Sequence, residues 1–463
     1  MHIATEEQES NIQLIRFKIR DILHRFEIDR AVFFGLLSKI WGMAAGPTTA
    51  ILIAFCFTRE LQGYYYTFAT IVALQVFAEL GLGSVLVQFA SHEWSKLSMD
   101  KSGCIVGDKD ALSRLVSIAN IAFKWYLVGG ILLAIGLGVG GYVFFSTSPD
   151  SGINWTLPWF SLCITTGIIV YLIPVWSLLE GCNQVATLYT FRFFQSVITG
   201  ITVWISILAG GGLWTASISG LVILLGSICF LKWRYWTFLK TLLFTKPQGL
   251  RIKWRADLLP MQWRIAVSTI SGYFCVSFFT PVLFKFHGPI VAGQCGMTWC
   301  LVAGLGVIAT AWIMPKIPQF GMLIALKKYK ELDNLFWRLT KVVVIITALT
   351  GFAIWFLVYI LYAFNLPFAI RILPPLPTGL FLLAQAFLNV SIPFSCYLRA
   401  HKREPLMYLT LLAGILTGSS TLILGKYYSV TAMAAGFLTI NSIVIPVVFI
   451  IWYFCRKEWH AET

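Results

Sequence analysis

Apolar residues run in blocks of about 20 or more along this chain, and polar residues gather in short clusters between them. The first two blocks, 32–57 and 64–90, are joined by the short link 58–63. A helix needs about 20 residues to cross a hydrocarbon core of about 30 Å. Only a helix or a closed barrel satisfies its own backbone groups in lipid. The two blocks therefore predict an antiparallel pair of membrane-spanning helices. The same alternation continues along the chain and predicts twelve spans, near 31–57, 63–90, 116–145, 157–179, 187–209, 214–235, 263–286, 289–314, 339–363, 376–398, 406–425 and 431–455. The expected fold class is an all-α polytopic membrane protein.

The longest polar connection follows the sixth span. It divides the chain into an N-terminal segment (1–30), a first lobe (31–235), a basic linker (236–262), a second lobe (263–455) and a tail (456–463). Six spans followed by six imply a parallel repeat about an axis along the membrane normal. A faint echo agrees: the turns Arg59–Gly63 and Lys285–Gly288 each carry one basic residue and a glycine.

Composition then settles which solvent the chain folds in. Hydrophobic residues make up 58% and charged residues 12%, against about 25% charged in soluble domains. The net charge of +15 would suggest nucleic acid in a soluble protein. Here position explains it. Of 35 lysines and arginines, 28 fall in alternate connections, the span ends beside them and the termini, 4 at the opposite connections (Arg59, Lys285, Arg371 and Lys426) and 3 deeper inside spans (Lys39, Lys124 and Arg192). Such a bias places both termini in the cytoplasm and leaves no need for a nucleic-acid partner.

Residues 1–30 show no cleavable signal pattern. Within them Ile12, Ile15, Ile19, Ile22, Leu23 and Phe26 form one stripe, with Arg16, Arg20 and Arg25 off it. That pattern fits an amphipathic helix on the membrane surface or an ordinary charged tail. The ten cysteines lack a C-x-x-C pair and mostly lie in apolar runs, so packing is the expected role. No metal site is expected.

The first hairpin carries more than hydropathy. Gly46-Pro47-Thr48, the stretch from Phe57 through Thr58-Arg59-Glu60-Leu61-Gln62-Gly63 to Tyr64-Tyr65-Tyr66-Thr67-Phe68, then Ala78-Glu79-Leu80-Gly81-Leu82-Gly83 and Gln88-Phe89-Ala90-Ser91-His92-Glu93 form one pattern. It resembles the O-antigen type polysaccharide-unit flippases of the multidrug/oligosaccharidyl-lipid/polysaccharide (MOP) exporter superfamily. The resemblance implies two six-helix lobes in a V, related by a pseudo-two-fold along the membrane normal. It implies a bacterial inner-membrane protein that moves a polyprenyl-pyrophosphate-linked oligosaccharide by alternating access. An H⁺ or Na⁺ gradient is the implied energy source, with no other cofactor. Membrane lipids and other polysaccharide-assembly proteins are the implied partners. The chain departs from a strongly cationic cavity, since few basic residues lie deep in its spans.

Candidate site residues follow from what is costly in lipid. A charge at mid-membrane costs about 2.5–3.5 kcal/mol on insertion scales. Lys39 and Glu79 lie at similar depths in antiparallel neighbours. Lys39 is expected to attract phosphate, and Glu79 to pair with it or to bind a coupling cation. The alternatives are snorkelling for Lys39 and a neutral structural carboxyl for Glu79. Lys124, Arg192 and Arg264 are candidates for a basic funnel, with interfacial anchoring as the other reading. Gln75, Gln88, Gln195, Gln294, Gln385, Asn389 and Asn441 sit within spans. They would bond sugar hydroxyls or neighbouring helices. Gly46 and Pro47 suggest a hinge in span 1. The G-x-x-x-G pairs at 42/46, 136/140 and 414/418 suggest close helix approach.

Catalytic signals are missing: all six histidines lie in connections or tails, and there is neither H-E-x-x-H nor a phosphate loop. The chain is therefore not expected to be an enzyme. Three rivals remain open, one of them a non-transporting scaffold for polysaccharide enzymes, which would leave Lys39 and Glu79 without a role. A cation-coupled multidrug exporter would have the same architecture. A membrane-embedded glycosyltransferase, polymerase or ligase would need acidic or basic groups on a larger outer loop.

Overall fold

The computed structural model describes residues 30–100, 102–147, 152–245, 249–313, 316–401 and 403–461. The expected amphipathic segment before residue 30 lies outside them. Apolar sequence without regular helix breakers gives long helices, and these are span 1 (Arg30–Cys56), span 3 (Lys109–Ser146), span 4 (Thr156–Gly181), span 5 (Val185–Leu208) and span 6 (Trp214–Arg234). Span 9 is Tyr329–Ala363, span 10 Pro375–Ala400, span 11 Met407–Tyr427 and span 12 Val430–Ala461.

Two spans are less regular. Span 2 is a bent pair, Arg59–Glu79 and Leu82–Trp94, with 46° between its parts. Spans 7 and 8 occupy the helices Leu259–Val276 and Phe279–Ile313. The second of these breaks at Gly288, where φ is +84°, a conformation that glycine adopts without cost. The chain reverses there. Phe279 before the break meets Trp299 after it, with ring centroids 5.0 Å apart. Span 7 therefore runs 259–287 and span 8 289–313. Ten stretches are long and apolar enough to cross a membrane, and one of them, Trp254–Val307, holds both span 7 and span 8. With the bent span 2 the described residues contain twelve spans, as the hydropathy predicts.

Connections at the end bearing the termini, here the basic face, are structured. A short antiparallel hairpin pairs Leu97–Met99 with Ile105–Gly107. The connection after span 6 contains a helix, Trp236–Phe244, whose Phe238 and Leu242 are fully buried beside Leu258 and the start of span 3. On the second lobe, Asp333 of span 9 accepts bonds from Arg456 Nε (3.0 Å) and from the Tyr397 hydroxyl (3.0 Å), tying spans 9, 10 and 12.

Four buried clusters show how the two sets of six spans meet. One contains only residues between Leu82 and Leu258, and another only residues between Ile313 and Trp459; both lie towards the basic face. The other two mix the halves and lie towards the opposite face. One joins Tyr64, Phe145 and Trp159 to Phe284, Phe381 and Phe437, and the other joins Ile53, Phe57 and Tyr66 to Met297 and Ile372. The halves are thus fused at one end and hold separate cores at the other.

Candidate functional site

The seam between the halves is built on one stripe of span 8: Pro289, Gly293, Gly296, Cys300, Ala303 and Val307. Spacings of three and four residues keep these positions on a single helical face. At the opposite face the stripe packs on span 2 with almost no intervening side chain. A methyl group placed on Gly63 would overlap the Pro289 carbonyl oxygen, and one on Gly293 would lie 2.9 Å from the Gly63 nitrogen. Gly296 receives the Tyr66 ring in the same way. Towards the basic face the same stripe is uncovered: Cys300, Ala303 and Val307 are exposed. On span 1, which meets span 8 through Ile53, Ala54 and Met297, the residues Lys39, Gly42, Met43, Gly46 and Pro47 are exposed too. One continuous surface is sealed at one end and parted at the other.

Polar groups latch the sealed end. The Gln62 side chain is buried and donates to the Gly293 carbonyl (2.9 Å) and the Arg371 carbonyl (3.0 Å). Arg371, between spans 9 and 10, donates to the Phe57 carbonyl at the end of span 1 (2.7 Å) and to Gln62 Oε1 (3.4 Å). Burial, then the neighbouring Arg59 guanidinium, lower the Arg371 pKa, and Glu60 opposes them. The Arg59 guanidinium thus opposes the Arg371 charge within the latch. Lys285 of span 7 donates to the Thr147 hydroxyl at the end of span 3, a second tie across the halves. Arg371→Ala should remove about 1.5–3 kcal/mol of charged hydrogen bonding from the sealed state. Spin labels at the exposed positions Ser146 and Tyr427, in a background with the native cysteines replaced, should report a wider separation. Unchanged separations would mean that Arg371 does not hold the halves together.

The sequence-derived candidates are placed as follows. Lys39 and Glu79 lie at similar depth, about 26 and 30 Å along their helices from Cys56 and Arg59 at 1.5 Å per residue. Among the described residues no ion pair joins them. Glu79 is half-buried and sits within electrostatic range of Tyr126 on span 3, whose buried hydroxyl lies against the Gly83 backbone. Gln75 lies one turn earlier, in the 3-10 segment Ala73–Gln75. Arg192 pairs with Glu180 of span 4 at 3.6 Å, and exposed Arg264 lies over the Trp263 ring at 5.7 Å. Lys124 lines a separate groove between spans 2 and 3. These three cations thus have three different sets of neighbours.

Gln195 donates to the Ile223 carbonyl within the first lobe (3.0 Å), and three further amides act within the second. Gln294 donates to the Ile370 carbonyl (3.0 Å). Gln385 donates to Asn389 (2.9 Å), which donates to the Leu305 carbonyl (3.2 Å) and so ties span 10 to span 8. Span 1 runs unbroken through Gly46 and Pro47. The three G-x-x-x-G pairs differ in their surroundings. A methyl group added at Gly42, Gly46, Gly136 or Gly140 would meet nothing within 4 Å, whereas Gly414 and Gly418 pack against Ser271 and Phe274 of span 7.

Sequence reasoning missed the break in span 2. Leu80 (φ +45°) and Gly81 (φ +69°) are consecutive left-handed residues that end one helix and begin the next. Glycine at 81 and again at 83, inside an apolar run, was the available signal. It also missed Gln62 and Arg371, because nothing in a sequence pairs residues so far apart in the chain.

No family model matches the sequence, and no curated protein matches it either. Solved structures do match. A multidrug-resistance MATE family transporter of the MOP superfamily, in an inward-facing conformation, aligns with TM-score 0.61 at 14% identity, covering 93% of this chain and 95% of the other. The lipid II flippase MurJ, in an inward closed conformation, aligns with TM-score 0.58 at 14% identity over 90% and 87%. An outward-facing MATE family transporter aligns with TM-score 0.54 at 13% identity over 94% and 96%. The chain has the fold of MOP-superfamily transporters.

Proposed function

We propose that this chain is a flippase that carries a polyprenyl-pyrophosphate-linked oligosaccharide across the bacterial inner membrane by alternating access. The observation that carries the proposal is the span 8 stripe, sealed against span 2 at one end and uncovered at the other. Such a surface suits two rigid halves that rock about a central seam. The charge bias assigns the uncovered end to the cytoplasm, so this state would load cargo from the inner leaflet.

The choice of cargo rests on three further points. The first hairpin resembles polysaccharide-unit flippases. Lys39, Arg192 and Arg264 lie towards the open end, where a pyrophosphate would arrive. Span 1 meets span 8 through the Ile53, Ala54 and Met297 cluster near the sealed end. Its uncovered part would let an isoprenoid tail stay in lipid while the head group enters. The similar fold of a lipid II flippase is consistent with such a cargo. Other polysaccharide-assembly proteins are the partners this reading expects.

A second reading, a cation-coupled drug exporter, is favoured by Glu79, a half-buried acid within the first lobe, and by the MATE-type fold. One experiment separates the two: reconstitution in vesicles with either a lipid-linked oligosaccharide or a cationic dye, with and without H⁺ and Na⁺ gradients. Translocation of the oligosaccharide between leaflets supports the first reading; dye export alone supports the second. In either case Glu79→Gln should abolish the response to the gradient while Glu79→Asp keeps part of it. Full gradient-driven transport by Glu79→Gln would remove this carboxylate from coupling.

A further inference from the structure

Span 3 turns an aliphatic face outward: Leu127, Val128, Ile131, Leu132, Ile135 and Val139 are all exposed. A large apolar face on a spanning helix is solvated by lipid. Where this face meets the break in span 2, the surface sinks into a groove of about 690 Å³, within the range of about 300–1,000 Å³ of ligand sites. Phe77, Val128 and Leu132 form its apolar wall, and Trp125 and Trp254 close one end. Among the described residues Lys124 is its sole charged lining residue and forms no ion pair.

Depth gives the lysine its meaning. Lys124 lies about 33 Å from the far end of its helix at Ser146, at 1.5 Å per residue. A hydrocarbon core is about 30 Å thick, so the ammonium reaches the headgroup level at the basic face while Val128 and Leu132 lie in the acyl region. The two tryptophans fit that level, where indole rings concentrate. Their N–H groups are already engaged, Trp125 with the Ala78 carbonyl (3.0 Å) and Trp254 with Gln262 (2.8 Å). Their rings stand 5.5 Å apart and offer apolar faces rather than donors. The groove thus has one cation at phosphate height and a hydrocarbon channel beneath it.

We propose that this groove binds one anionic membrane phospholipid, with its phosphate on Lys124 and an acyl chain along Phe77, Val128 and Leu132. A zwitterionic lipid carries its own cation next to the phosphate and gains less from the lysine. The site stands apart from the seam between the halves and does not depend on the identity of the cargo.

The test is native mass spectrometry of the purified full chain, titrated with phosphatidylglycerol or with phosphatidylcholine of the same acyl chains. The wild type should retain one phosphatidylglycerol in preference to phosphatidylcholine. Lys124→Gln should weaken that retention about fivefold, the effect of one basic residue at a membrane surface. Lys124→Arg should keep it. Val128→Trp, which fills the channel and leaves the charge, should also weaken it, with thermal melting confirming that each variant is folded. Equal retention of the two lipids, or wild-type retention by both Lys124→Gln and Val128→Trp, would overturn the site. Displacement of phosphatidylglycerol by an equimolar long isoprenyl phosphate would overturn it too, by assigning the groove to an isoprenoid.

Discussion

Gly63→Ala should prise open the sealed end of the protein. The added methyl group overlaps the Pro289 carbonyl oxygen, a backbone atom that cannot rotate away. Gly293 and Gly296 pack against the same stretch of span 2, so the helices cannot slide to a nearby fit without meeting a second backbone. Overpacking of this kind costs about 1–3 kcal/mol. It falls on the sealed state alone, because parted halves leave room for the methyl. The ratio of sealed to parted molecules should drop about five- to a hundredfold. Labels at Ser146 and Tyr427 would record the change as a shift to longer separations, and transport should fall with it. Gly136→Ala is the control: nothing lies within 4 Å of that position, and alanine suits a helix interior better than glycine. Should Gly63→Ala keep wild-type separations and wild-type transport, the glycine contact is not the seal.

The second large effect is expected at Gly81, and it concerns stability. Gly81 has φ of +69° beside Leu80 at +45°. A left-handed backbone costs an L-residue about 1–2 kcal/mol. A methyl group there would also overlap the Ile265 side chain and sit 3.3 Å from the Ala266 nitrogen, at the start of span 7, which adds about 1–3 kcal/mol. Gly81→Ala should therefore lower thermal stability in detergent by an amount equivalent to about 2–5 kcal/mol. The two causes separate by rescue. Ile265→Ala in the Gly81→Ala background removes the overlap and leaves the backbone cost, so partial recovery is expected. Complete recovery would mean that the left-handed turn carries no cost; no loss in the single variant would mean that the break is not rigid.

That break also bears on Glu79. It ends the first part of span 2 one residue before the left-handed pair and lies within electrostatic range of Tyr126 of span 3. Lys39 and Glu79 share a depth that counting residues could find. Their lateral separation was not countable, because rotation about a helix axis is set by neighbouring helices. Lys124, Arg192 and Arg264 teach the same lesson: three cations towards one end of their spans, with three different sets of neighbours.

The solvent, the number of crossings and the alternating basic connections follow from the sequence alone, because the cost of leaving backbone or charge in hydrocarbon is large and local. Hydropathy depends on about twenty consecutive residues and needs no partner. The faces of those helices are another matter. Whether Gly63 meets Pro289, whether Gln62 meets Arg371, and which end of the span 8 stripe is covered depend on contacts between residues more than 200 positions apart. In lipid, helices are not driven together by hydrophobicity, so small residues and a few hydrogen bonds choose among many packings of similar energy. Only the assembled bundle decides that choice, and with it the seam, the latch and the groove at Lys124.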